Sequence, residues 1–149
     1  MKTFNINNKR GFTLMEVLIV VVLIATIAGI GVPYYKDYVE KQKAVLGITN
    51  LRILAESIER YRAIHNQQMP PDGDFRLLDI NIPANMLDSS GQHYDDGNFV
   101  YIMTDSNTDA YINADRVGAV YTLRYYLDSD EFRCKTHEDW CDKFNIKLD

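Results

Sequence analysis

The sequence predicts an α+β protein in which one long N-terminal helix, membrane-spanning in its first half and amphipathic in its second, packs on a small antiparallel sheet. Three observations predict it. Residues 12–32 form an apolar run, residues 38–64 carry an apolar stripe at helical spacing, and the last third alternates at strand spacing. At 149 residues, 46% hydrophobic and 25% charged, the chain suits one domain and is neither disordered nor collagen-like. Two cysteines are too few for a disulfide-built miniprotein, and a net charge of −5 argues against a nucleic-acid-binding surface.

The first element is the run FTLMEVLIVVVLIATIAGIGV, Phe12 to Val32, whose one charge is Glu16. At about 1.5 Å per residue a helix of this length spans roughly 31 Å, matching a hydrocarbon core of about 30 Å. Lys2, Lys9 and Arg10 precede it with no acidic residue, so the N-terminus is expected to stay in the cytoplasm and the rest to cross the membrane. An ordinary secretory signal peptide is the rival. Ala25 and Ala28 are three apart, however, so the A-x-A cleavage pattern is missing, and Glu16 interrupts the expected layout. A carboxylate at the centre of a membrane helix costs about 2.5–3.5 kcal/mol on insertion scales. Glu16 either reaches headgroup water or awaits a cationic partner in an apolar assembly.

Lys9-Arg10-Gly11-Phe12-Thr13-Leu14-Met15-Glu16, running into the apolar stretch, resembles the processing site of type IV prepilins. Met15 stands where isoleucine or valine is more usual. The resemblance is close from Lys9 to Pro33 and is one of layout beyond. It implies the pilin fold, cleavage after Gly11 by a prepilin peptidase, and methylation of the new Phe12 amine by the same enzyme. It also implies that Glu16 of one subunit faces the Phe12 amine of a neighbour. Losing Lys2, Lys9 and Arg10 takes the formal charge from −5 to −8 before that amine is counted.

Gly29, Gly31 and Pro33 make the end of the anchor the weakest helical stretch, and Pro33 is the expected helix break. Behind it Tyr38, Val45, Ile48, Leu51, Ala55, Ile58, Tyr61 and Ile64 form the expected core stripe, with Glu40, Lys41, Lys43, Asn50, Arg52, Glu56 and Arg60 on other faces. The resemblance implies one helix from Phe12 to about His65, bent near Pro33 and able to lose helical pairing over residues 25–33 in a filament.

Residues 66–97, rich in proline, glycine and polar side chains, read as a connecting region. Strands are expected at Asn98–Thr104, Ala110–Ala114 and Ala119–Leu127, the last with Tyr121, Leu123, Tyr125 and Leu127 on one face. The ten tyrosines read as packing at the sheet surface before any ligand role. The expected organisation is a cleaved leader (1–11), a transmembrane and assembly helix (12–33), its amphipathic continuation (34–65), the connecting region (66–97), and a sheet with a disulfide-bounded C-terminal region (98–149).

Export would place Cys134 and Cys141 in an oxidising compartment, where a disulfide closing so small a loop contributes roughly 2–4 kcal/mol. Such a bridge resembles the C-terminal region of pilins. A metal site is the rival, since His137 lies between the cysteines and Asp142 follows, but paired CxxC spacing is missing. The run Asp128-Ser129-Asp130-Glu131 reads as a solvated turn after the last strand, with a calcium loop at Asp128, Asp130 and Glu131 as the rival. No Walker loop, GxSxG, HExxH or dinucleotide fingerprint is present, and nothing selects His65, His93 and His137 as a catalytic set. Neither an enzyme nor a cofactor is expected.

The expected function is that of a structural subunit, drawn from the inner membrane into a helical homopolymer displayed on the cell surface as a pilus. Its expected partners are copies of itself, the prepilin peptidase and methyltransferase, an inner-membrane assembly platform and a separate motor ATPase. A pseudopilin of a type II secretion system shares the processing site, although such proteins usually manage without a disulfide. A membrane-tethered binding module that never polymerises is the alternative from a different class.

Overall fold

The computed structural model describes residues 11–106, 109–136 and 140–144, and divides into two compact units at Val39 and Glu40. Helix α1 runs from Leu14 to Ile64. Thr13 caps it: its Oγ1 accepts from the Glu16 amide at 3.2 Å, satisfying one of the orphan donors of the first turn. Its other end is closed by the backbone. Asn66 and Gln67 take positive φ values of 54° and 64°, and the Gln67 amide reaches back to the Arg62 carbonyl at 2.8 Å.

The helix passes through Pro33 as one continuous element, so the proline does not end it. An interior proline forfeits one rung and crowds the carbonyl four residues back, but the rungs on either side can persist. Lys9 and Arg10 lie outside the described residues. From Leu14 to Leu23 every large apolar side chain is at least 47% exposed, so no face of this segment is buried within the chain.

In the second unit, strands β1 (His93–Asp95), β2 (Phe99–Thr104), β3 (Tyr111–Arg116), β4 (Tyr121–Tyr126) and β5 (Glu131–Thr136) form one sheet in sequence order. Every neighbouring pair is antiparallel. A short helix α2 covers Trp140–Phe144. Period-two alternation points Phe99, Tyr101, Met103, Ile112, Ala114, Tyr121, Leu123 and Tyr125 inward, where they meet Ala44, Leu51, Leu54, Ala55 and Ile58 of α1 in one core. The protein is thus α+β, a long N-terminal helix whose second half packs on a five-stranded antiparallel sheet.

The face that α1 presents to the sheet departs from the expected stripe. Leu51, Ala55 and Ile58 are buried as expected, and Ile48 and Tyr61 are half-buried, but Tyr38, Val45 and Ile64 are exposed. Ala44, Gly47, Leu54 and Ser57 take core positions instead. Helix and sheet approach closely at Gly47, where an added Cβ would lie 2.9 Å from the Phe99 ring. Large residues were expected to mark the contact; small ones take part of it.

Two strands were not anticipated. β1 lies inside the stretch read as connecting region, and β5 follows the acidic run, so that run is the turn between β4 and β5 rather than the end of the sheet. The connecting region also plugs the core through Phe75 and Leu78, with Phe75 edge-on to Tyr94.

Buried polar atoms are paired. The Tyr101 hydroxyl donates to Asp96 Oδ2 at 2.8 Å, and Asn50 Nδ2 donates to the same oxygen at 2.9 Å. Among the described residues no buried side-chain nitrogen or oxygen lacks a partner. Acids outside the core are held ionised in the same way. Hydrogen bonds from Arg60 and Ser57 lower Asp79 to about 2. The Arg76 side chain lowers Asp74, and Ser90 and then His93 lower Asp88. Such depressed acids stabilise the fold fully above their unfolded values, and that contribution is lost as pH falls through the folded ones. The melting temperature is therefore expected to be insensitive to these groups near neutrality and to fall between about pH 4.5 and 2. A melt series by circular dichroism measures this; a profile flat across that window contradicts it.

Candidate assembly site and its support

Gly11, Phe12 and Thr13 precede the helix in the described chain. Thr13-Leu14-Met15-Glu16 has the spacing of a capping box, so Glu16 occupies the third helical position at the positive end of the helix dipole. That role for Thr13 was readable from the T-x-x-E pattern and was missed. Phe12, Leu14 and Met15 are 78%, 84% and 66% exposed, and the Glu16 side chain is exposed among them. The helix is long and apolar enough to cross a membrane, with a mean hydropathy of 2.6 in its most apolar window. What this surface can do chemically is limited to apolar packing plus one carboxylate.

At Glu40 the helix is fastened to the sheet. Arg116 Nε donates to Glu40 Oε1 at 2.5 Å, Arg116 Nη2 to Oε2 at 3.1 Å, and the Tyr121 hydroxyl to Oε1 at 2.9 Å. Arg116 Nη1 also donates to the Asn98 and Val117 carbonyls, and the guanidinium lies over the Phe99 ring. Burial alone would raise Glu40, but the hydrogen bonds from Arg116 and Tyr121 outweigh it and hold the carboxyl below its ordinary value. Glu40 and Asn50 were both expected on solvent faces; each instead turns toward the sheet. The signal was absent from helical periodicity because the partners, Arg116 and Tyr121 for Glu40 and Asp96 and Tyr101 for Asn50, come from distant parts of the sheet.

The Arg116 side chain is only 6% exposed, so Arg116→Met leaves the largely buried Glu40 carboxylate with Lys43, 3.9 Å away, as its remaining cation. A loss of about 3 kcal/mol is expected, measured by chemical denaturation. The double variant Glu40→Met with Arg116→Met is expected to cost less than the two single losses added, because neither charge is then stranded. Additive losses would contradict the coupling.

Cys134 of β5 and Cys141 of α2 form a disulfide with Cα atoms 5.6 Å apart, and both are fully buried. It ties α2 to the edge strand β5, and Trp140 packs against Tyr121 of β4 with ring centroids 6.1 Å apart. His137, the third member of the rival metal set, lies outside the described residues. Of the rival calcium set, Asp128 pairs with Arg62 at 2.8 Å, Asp130 accepts from the Tyr125 hydroxyl at 2.5 Å, and Glu131 pairs with Arg133 at 3.0 Å. Among the described residues no group of three or more histidine, cysteine or acidic side chains could hold a metal ion. His65 stacks on Tyr61 and His93 pairs with Asp88, while His137 lies outside the described residues.

Residues 6–32 match the family described as the prokaryotic N-terminal methylation motif. Two fimbrial proteins of Pseudomonas aeruginosa are each 35% identical over 89 residues, covering 56% of this chain and 56% of their own. The type IV major fimbrial protein FimA of Dichelobacter nodosus is 32% identical over 79 residues, covering 53% of this chain and 44% of its own. The chain thus spans about half the length of the curated relatives it matches. No solved structure gives a significant match. The motif thus heads a long apolar helix whose second half packs on an antiparallel sheet, and over about half its length the chain is similar to fimbrial proteins.

Proposed function

We propose that the chain is a structural subunit of a type IV pilus, cleaved after Gly11, N-methylated at Phe12 and polymerised through its N-terminal helix. The observation that carries this reading is the methylation motif at residues 6–32 opening an apolar helix in which Glu16 is the one charge before Pro33. In a helical bundle such a surface is covered by copies of itself, and Glu16 meets the cationic amine that cleavage exposes on a neighbour. The pair's value lies in register. Desolvation offsets much of the attraction, but a subunit out of line strands a charge in a dry core and is penalised.

Before assembly the subunit waits in the inner membrane with its N-terminus cytoplasmic and residues 34–149 outside. A prepilin peptidase and methyltransferase, an assembly platform and a separate motor ATPase are its partners, and copies of itself form the filament. The homology to fimbrial proteins and the disulfide favour a displayed pilus over a type II secretion pseudopilus.

Mass spectrometry of the mature N-terminus tests the reading. Methyl-Phe12 is expected; an intact leader would support a non-polymerising tether, and a start near Gly29 would support plain secretion. Electron microscopy of sheared surface material then separates a displayed pilus from a short periplasmic one.

A further inference from the structure

On the outward face of the sheet, basic side chains gather toward one end, with Asp115 among them. Near Glu40, the outward face of the sheet carries Asn113, Arg124 and Arg133 in one cross-strand row and Asp115, Thr122 and Lys135 in the next. Arg124 is fixed there by Asn113 Oδ1 at 2.8 Å and by the Tyr111 ring 4.3 Å below its guanidinium. The Asp115 carboxylate accepts from the Thr122 hydroxyl at 2.6 Å. Between the β3–β4 turn and β5 this face sinks into a shallow depression of about 400 Å³, with Arg116, Arg124, Lys135, Thr122, Asp115 and Val120 on its walls.

The opposite end of the sheet is acidic. Asp128, Ser129 and Asp130 are exposed in the β4–β5 turn, Glu131 follows, and Asp105 and Asp109 lie on the adjacent loop. The turn is shaped in advance. Asp109 accepts from the Asp128 amide at 3.0 Å and the Ser129 hydroxyl at 2.8 Å, while Asp130, at a φ of 52°, accepts from Tyr125. Within one chain Glu131 reaches the nearer basic row, pairing with Arg133 at 3.0 Å, but four strand residues, about 13 Å, separate it from Lys135 along β5.

Stacked copies of an acidic chain repel unless unlike patches meet. Two unlike patches at opposite ends of one domain fit a head-to-tail contact, the kind that does not close on itself and so builds open helical assemblies. The geometry points to the depression beside Lys135 as the seat of the Asp128–Glu131 turn of a second copy. This rests on the filament reading and names the outer contact that accompanies the buried helical one.

A charge swap in the full chain tests it, in cells whose wild-type protein is assayed in parallel. Lys135→Glu and Asp128→Lys are each expected to lower the yield of sheared filaments at least about tenfold, and the double variant to return it to within about threefold of wild type. Asp128→Lys also breaks the ion pair to Arg62. Ser129→Lys, which keeps that pair, is expected to show the same loss with an unchanged melting profile. Normal yield from Lys135→Glu, or a double variant no better than the single ones, overturns the contact; the second outcome is what a free polyanion in the depression would give. A wild type that makes no filaments overturns the filament reading itself, and with it the contact.

Discussion

Glu16→Ala is expected to leave the protein inserted, cleaved and methylated while lowering filament yield by more than about tenfold. In the proposed bundle the substitution removes the carboxylate and would leave the neighbouring Phe12 amine without a counter-charge. Breaking a buried pair on one side costs about 3–5 kcal/mol, far more than the about 1.4 kcal/mol that equals a factor of ten. The start of the helix survives, because the cap bond runs from the residue-16 backbone amide to Thr13 Oγ1 and does not use the glutamate side chain. Loss of recruitment with normal insertion is therefore the specific signature. It is read by comparing membrane-bound protein on an immunoblot with sheared filaments. Glu16→Gln, which keeps shape and loses charge, is expected to behave like the alanine variant; normal yield from either would remove the pairing role.

Gly11→Val is expected to abolish maturation and filaments together, with the full-length mass of 17.2 kDa retained. Nothing lies within 4 Å of a Cβ built at Gly11, and the residue precedes the helix, so the substitution does not disturb the chain's own described structure. Any loss then arises at the peptidase, where a residue without a side chain lets the scissile bond be approached closely. The uncleaved chain keeps its leader, so the amine that Glu16 needs is never created beside it. The two variants fail to assemble for different reasons, and mass separates them: Glu16→Ala yields methyl-Phe12 and Gly11→Val does not. A Gly11→Val chain recovered with a mature N-terminus would contradict the assigned cleavage point.

The long helix and the best strands were legible because their patterns are local. Phe99, Tyr101 and Met103, and Tyr121, Leu123 and Tyr125, alternate cleanly, and every one of them is buried. β5 was missed because Glu131-Phe132-Arg133-Cys134-Lys135-Thr136 puts three charges outward and one small sulfur residue in the core, which in isolation resembles a solvated loop. β1 is three residues long, too short for a period to show. On α1 the reading was drawn to Val45 and Ile64 by their size, whereas Ala44 and Gly47 let the helix reach Phe99. The methylation motif matched at residues 6–32 was legible, since Gly11, Phe12 and Glu16 stand in one continuous stretch. The Glu40–Arg116–Tyr121 contact was not, because its members lie 76 and 81 residues apart and only the folded sheet brings them together.

The decisive measurement is a high-resolution structure of intact filaments sheared from cells. The Glu16 carboxylate is predicted to lie within about 4 Å of the methylated Phe12 amine of an adjacent copy, enclosed by apolar side chains. A carboxylate open to solvent, or remote from every neighbouring N-terminus, would contradict its role in setting subunit register.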